Sequence, residues 1–175
     1  MRAFIPAVIL CFSLLGCSTL VPTIDSVERG EMPVNPAVLG HGELVIGASP
    51  EALWQTVADI DGWPSWMEEM TSARLNGRLE VGTSFDLKNL GMDVRSTLWL
   101  IEAYSKLGWV GSVYGVESAV IWTFHGTDTG TLVSVDESLD GFLVQLYFNS
   151  DQCKAEIGKR LAQLKRFAEG GLAKL

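Results

Sequence analysis

The chain has 175 residues, 47% of them hydrophobic and 19% charged, with a formal net charge of −8. That size suits one compact domain with short accessories, and the composition is too apolar for a disordered chain. The negative balance argues against nucleic acid, whose binding depends on Lys and Arg displacing condensed counterions, and against adsorption to anionic lipid.

Met1-Arg2 is a minimal positive start, and the apolar run from Ala3 to Leu15 is broken only by Pro6 and Ser13. It is shorter than the roughly 20 residues a spanning helix needs, so residues 1–16 read as a signal peptide. The run ends in Leu14-Leu15-Gly16-Cys17, which resembles the lipobox of bacterial lipoproteins; the alternative is an ordinary secretory signal that happens to end in Gly-Cys. The resemblance implies that Cys17 carries lipid and begins the mature chain. Ser18 stands where an inner-membrane retention signal would have Asp, which implies the periplasmic face of the outer membrane in a Gram-negative host. Several acyl chains hold stably, at about 0.8 kcal/mol per buried methylene, where one chain binds only marginally.

Residues 17–40 contain Pro22, Pro33 and Pro36 without sustained periodicity and are expected to form a lipidated flexible tether. Cys11 falls in the signal segment and Cys17 at the lipid site, so Cys153 has no partner for an internal disulfide. A hydrophobic core has to hold the fold.

The folded domain is expected over residues 41–171. Gly42 to Ala48 reads as a short strand. Ser49-Pro50-Glu51 then supplies an N-cap, a proline at the first helical position and an acidic first turn. Leu53, Trp54 and Val57 share a face of the helix that follows, which should end by Asp61-Gly62. A second short helix is predicted with Trp66, Met67 and Met70 on one face. From Thr71 to Phe148 short apolar runs alternate with turn signals such as Asn76-Gly77, Asn89-Leu90-Gly91 and Tyr114-Gly115, predicting about six strands. Alternation groups Phe85 with Leu87, Trp122 with Phe124, and Thr131, Val133, Val135 and Glu137, which gives the sheet one strongly apolar face. After the cap at Asn149-Ser150 the segment from Asp151 to Glu169 is helical, with Ile157, Leu161, Leu164 and Ala168 on one side, and Gly170-Gly171 is expected to end it.

The run Ala48-Ser49-Pro50-Glu51-Ala52-Leu53-Trp54, then Val57-Ala58-Asp59-Ile60 and Trp63-Pro64-Ser65-Trp66, is similar to the opening of the SRPBCC superfamily, also called START-like or polyketide cyclase/dehydrase-like. Gly130-Thr131-Leu132-Val133 leading to Glu137 and Gly141 looks like its penultimate strand, and Leu107-Gly108-Trp109 like its mid-sheet strand. The resemblance covers about His41 to Gly171. It implies an α+β helix-grip (Bet v 1-like) fold: a curved antiparallel sheet wraps the long C-terminal helix and encloses an apolar cavity. The family uses that cavity for lipids, sterols, polyketides and aromatic metabolites, and some members catalyse cyclisation, dehydration or hydrolysis there. Fold alone does not choose among these.

Six tryptophans, with Met67, Met70 and Met92, supply broad adaptable apolar surface. Trp66, Phe85, Trp109, Trp122 and Phe124 are the candidate ligand contacts, although periodicity marks an inward face without saying whether it is hollow or filled. Trp99, in phase with Arg95 and Thr97, is expected outside. Glu137 is a ligand-contact candidate and the single weak catalytic one, since a carboxylate in an apolar pocket takes up a proton more readily; pairing with a nearby Arg or Lys is the alternative. Asp86, Lys88, Asp93 and Arg95 read as a charge-paired hairpin, with a polar mouth as the other possibility. Cys153 sits in a first helical turn, where a macrodipole lowers a thiol pKa, or else serves as a small core residue.

His41 and His125 make no metal-ligand spacing with cysteine or carboxylates, so no metal is expected. No Gly-Lys-Ser/Thr phosphate loop is present, and Gly108, Gly111 and Gly115 do not match a dinucleotide fingerprint, so no cofactor is expected. The expectation is a membrane-anchored binding protein for a hydrophobic small molecule or lipid, with a cyclase-, dehydratase- or hydrolase-type enzyme, or an interaction module filled by its own tryptophans, as alternatives.

Overall fold

The computed structural model describes residues 20–172. The signal peptide of residues 1–16 and the lipid site at Cys17 lie outside the described residues. Helix α1 (Leu20–Glu28) leads into strand β1 (Val38–Ile46), helix α2 (Pro50–Ala58) and a 3-10 turn at Ile60–Ser65. Six strands follow: β2 (Met70–Leu75), β3 (Ser84–Asn89), β4 (Met92–Glu102), β5 (Lys106–Val113), β6 (Val116–Thr127) and β7 (Gly130–Gly141). A single helical turn α3 (Val144–Tyr147) and the long helix α4 (Ser150–Leu172) complete the order. The sheet runs β1-β7-β6-β5-β4-β3-β2, antiparallel throughout. This is the helix-grip arrangement, with α4 laid across the inner face against β1 and β7.

Local chemistry fixes these elements. Ser49 caps α2 by accepting from the Ala52 N–H at 3.2 Å, with Pro50 next in line. Asn149 and Gln152 cap α4 reciprocally: the side-chain oxygen of each accepts from the backbone N–H of the other at 3.0 Å. Cys153, Ile157, Leu161 and Leu164 form the buried stripe of α4. That stripe reaches β1 because Gly40 and Gly42 carry no side chain; a Cβ at Gly40 would stand 2.5 Å from Cys153 Sγ and 2.9 Å from Ile157 Cδ1.

Several expectations change. The second short helix lies earlier than predicted: Pro64 lacks an N–H, and the backbone closes tight bonds instead, Gly62 N–H to Asp59 and Trp66 N–H to Trp63. Met70 already belongs to β2. Helix α4 continues through Gly170 to Leu172. The largest correction concerns the tether. Residues 20–28 are helical and pack on the outer face of the sheet, where Val27 is fully buried among Leu100, Val110, Ala119 and Ile121, with Ile24, Met32 and Trp99 around them. A bulge between Leu98 and Leu100 makes this possible: it leaves Leu98 in the inner core and turns Leu100 outward. The central strands are thus apolar on both faces, and α1 covers the outer one.

Candidate functional site

Between the inner face of the sheet and α4 lies a cavity of about 580 Å³. Its position follows from side-chain size along the inward positions. Toward one end of the sheet these are large: Leu98, Trp109, Trp122 and Phe124 pack with Trp63 and Trp66, and Phe85 joins them from the row it shares with Ser96. Trp63 meets Trp109 at 5.3 Å and Phe85 at 5.5 Å, Trp66 meets Trp122 edge-on at 6.4 Å, and Trp122 stacks on Phe124 at 6.3 Å. Toward the other end the inward positions shrink to Val94, Ser96, Val116 and Ser118, and the space above them is not filled.

The candidate contacts therefore divide. Trp109 and Glu137 line the cavity. Trp66, Phe85, Trp122 and Phe124 are buried but do not line it; they are the packed floor beneath it. The inner face is half filled and half hollow, because aromatic rings packed on one another leave no room for a guest.

The cavity mouth is built from turns. Leu90-Gly91 joins β3 to β4, and Tyr114-Gly115 joins β5 to β6. Both residues of each turn have positive φ, 49° and 81° in the first, 50° and 78° in the second. These are the mirror-image turns that suit hairpin twist, and Asn or Gly is the usual first residue. Here Leu and Tyr occupy it. Phe142 and Leu143 follow β7, with Leu143 also left-handed at φ 72°. The result is an apolar rim in which Phe142 is 91% exposed, Tyr114 88% and Tyr147 81%, with Leu90 and Leu146 beside them.

Polar groups enter from α4. Arg160 Nη1 donates to Glu137 Oε2 at 3.0 Å, and the two side chains are 20% and 16% exposed at the cavity wall. Glu69, also lining the cavity, pairs with Lys159 and accepts from Gln163 Nε2 at 3.1 Å. Burial, reinforced by the Glu137 carboxylate and opposed by Arg160, pushes the Cys153 thiol up to about 12. Cys153 is therefore an inert wall residue, and the helix-dipole activation weighed from sequence is outweighed by desolvation.

The charged hairpin lies outside. Asp86 faces Arg95 and Lys88 faces Asp93 across β3 and β4. Arg95 donates twice to Asp86, at 2.7 and 3.1 Å, and with Asn76 it holds that carboxyl down at about 2. His41 contacts Asp136 at 2.8 Å on the surface, and His125 is exposed. Among the described residues no group of three or more His, Cys, Asp or Glu lies together as a metal site.

Sequence reasoning missed Ser96, Ser118, Arg160 and the rim residues. A signal for the first two was present, since they are small residues at inward positions of apolar strands. For Arg160 there was only its place one turn after Ile157 and next to Leu161, which says nothing of where a long side chain reaches.

Residues 41–169 match the family model described as polyketide cyclase / dehydrase and lipid transport. Among solved structures, a hypothetical protein from Helicobacter pylori aligns with a TM-score of 0.69 and 17% identity, over 78% of this chain and 90% of that one. A START superfamily protein from Mycobacterium smegmatis aligns at 0.59 and 15%, over 78% and 97%. The di-domain ARO/CYC StfQ from the steffimycin biosynthetic pathway aligns at 0.62 and 14%, over 78% of this chain and 52% of that one. At these identities the likeness is one of fold. No curated protein matches the sequence.

Proposed function

The chain belongs to the polyketide cyclase/dehydrase and lipid transport family, and from that premise we propose that it is an exported protein, anchored by lipid on Cys17, that holds a hydrophobic small molecule or lipid in its cavity. The family supports a fold that binds hydrophobic ligands. The observation that carries the reading is the hollow half of the inner face, about 580 Å³ behind an exposed apolar rim, a volume within the usual range for small-molecule sites. Apolar side chains collected around one opening are what a surface exchanging greasy cargo with a bilayer requires. On this reading the rim faces the membrane that the anchor holds, the outer membrane in a Gram-negative host.

Native mass spectrometry of the chain from Ser18 onward, which keeps α1 over the outer face, tests the binding claim. A co-purifying apolar species is expected. Repeated preparations without one, and no uptake of added lipid, would remove it. The anchor has a separate test: Cys17→Ser should shift the protein from the membrane to the soluble fraction, and unchanged fractionation rejects lipidation.

One observation favours a second reading, an enzyme acting in the same cavity: Glu137 sits at the cavity wall within hydrogen-bond distance of Arg160. The salt bridge suits a carboxylate that positions more than one that moves protons. Once a turned-over substrate is in hand, unaltered turnover in Glu137→Gln removes its catalytic role.

A further inference from the structure

Ser96 is 2% exposed and borders the cavity, and its hydroxyl has no hydrogen-bond partner among the described residues. Ser118 also borders the cavity and its hydroxyl is likewise unpartnered. Register brings the two together: Ser96 on β4 opposes Gly111 on β5, which opposes Ser118 on β6. Gly111, carrying no side chain, makes room for both hydroxyls. A Cβ there would collide with Ser96 Oγ and stand 3.2 Å from Ser118 Oγ. The row lies one inward step, about 7 Å, from the rim positions Val113 and Val116. Ser118 is also the diagonal neighbour of Glu137, because Ser118 opposes Leu139 and Val120 opposes Glu137.

Hydroxyls without a protein partner in an otherwise apolar cavity wall are a cost that Ala or Val at these positions would avoid. A serine hydroxyl both donates and accepts and carries no charge. A carboxylate would be drawn to Arg160, whereas two neutral hydroxyls flanking bare backbone match a neutral oxygen. We propose that Ser96, Gly111 and Ser118 form a polar subsite for a ketone or alcohol oxygen borne on the apolar body of the ligand. This rests on the cavity being a ligand site, and it narrows the ligand from any hydrophobe to an oxygenated one.

The test uses two probes of one shape, 1-acetylpyrene and 1-isopropylpyrene, titrated against the full chain held in amphipol and read by energy transfer from the protein's tryptophans. In the S96A/S118A variant the preference for the ketone over the hydrocarbon should fall by about tenfold or more, while hydrocarbon affinity stays level or improves. Retained hydrocarbon binding also shows that the variant is folded. A preference unchanged within about twofold overturns the subsite and leaves the hydroxyls to resident water. Binding of neither probe to the unaltered chain overturns the cavity reading and the subsite with it.

Discussion

Cys153 shows how one atom's surroundings set its chemistry. Its side chain is pressed between Gly40 and the cavity wall beside Glu137, and its pKa is raised from 9.0 to about 12. A thiol that resists ionisation does not alkylate. Native protein at pH 8 should leave Cys153 unmodified by iodoacetamide, and denatured protein should not; mass analysis of the peptide carrying it reads the difference. The same shift has a thermodynamic sign. Because the folded pKa is the higher, the folded state binds the proton more tightly, so this contribution to stability is complete below about 9 and is lost as pH rises toward about 12. Cys153→Ala should flatten that part of the stability profile, as measured by urea midpoints across the alkaline range. The small core role was one of the two readings the sequence offered, and burial bears it out; the size of the shift was not legible, because it depends on how closely Gly40 and the cavity wall enclose the sulfur.

At the scale of elements, the contact of α4 with β1 depends on absent side chains. Gly40→Ala places a methyl 3.0 Å from Cys153 Cβ as well as against its sulfur and Ile157, so helix and strand must part, at a cost of about 1–3 kcal/mol. A lowered thermal midpoint checks this. The hairpin tips predict the opposite sign. Leu90 and Tyr114 hold left-handed backbone at about 1 kcal/mol above what Asn would need. Leu90→Asn with Tyr114→Asn should therefore raise the midpoint by a few degrees while weakening co-sedimentation with phosphatidylcholine vesicles. Loss of both stability and binding, or gain of both, would contradict the rim's proposed role. The same-face groupings within strands, both capped helices and the outward Trp99 were readable from alternation and capping residues. Helix α1 was not, because its partner patch of Leu100, Val110, Ala119 and Ile121 exists only once the bulge and the register bring those residues together.

For the whole molecule, the balance between filled and hollow decides function. The pattern of inward residues was plain in the sequence, but hollowness depends on the order of their volumes across neighbouring strands, which single-strand periodicity does not record. Ser118→Phe should fill the space over Gly111, leave the thermal midpoint level or higher, and abolish probe binding; retained binding would place the ligand elsewhere. Helix α1 also changes what an anchored domain can do. With lipid on Cys17, only the few residues before Leu20 separate the membrane from a helix fixed to the sheet, a reach of about 10 Å at full extension. A leash so short makes encounter with the bilayer nearly intramolecular, at an effective concentration on the order of millimolar. Capture is then governed by how the domain turns on its pivot, and a distant membrane stays beyond its grasp.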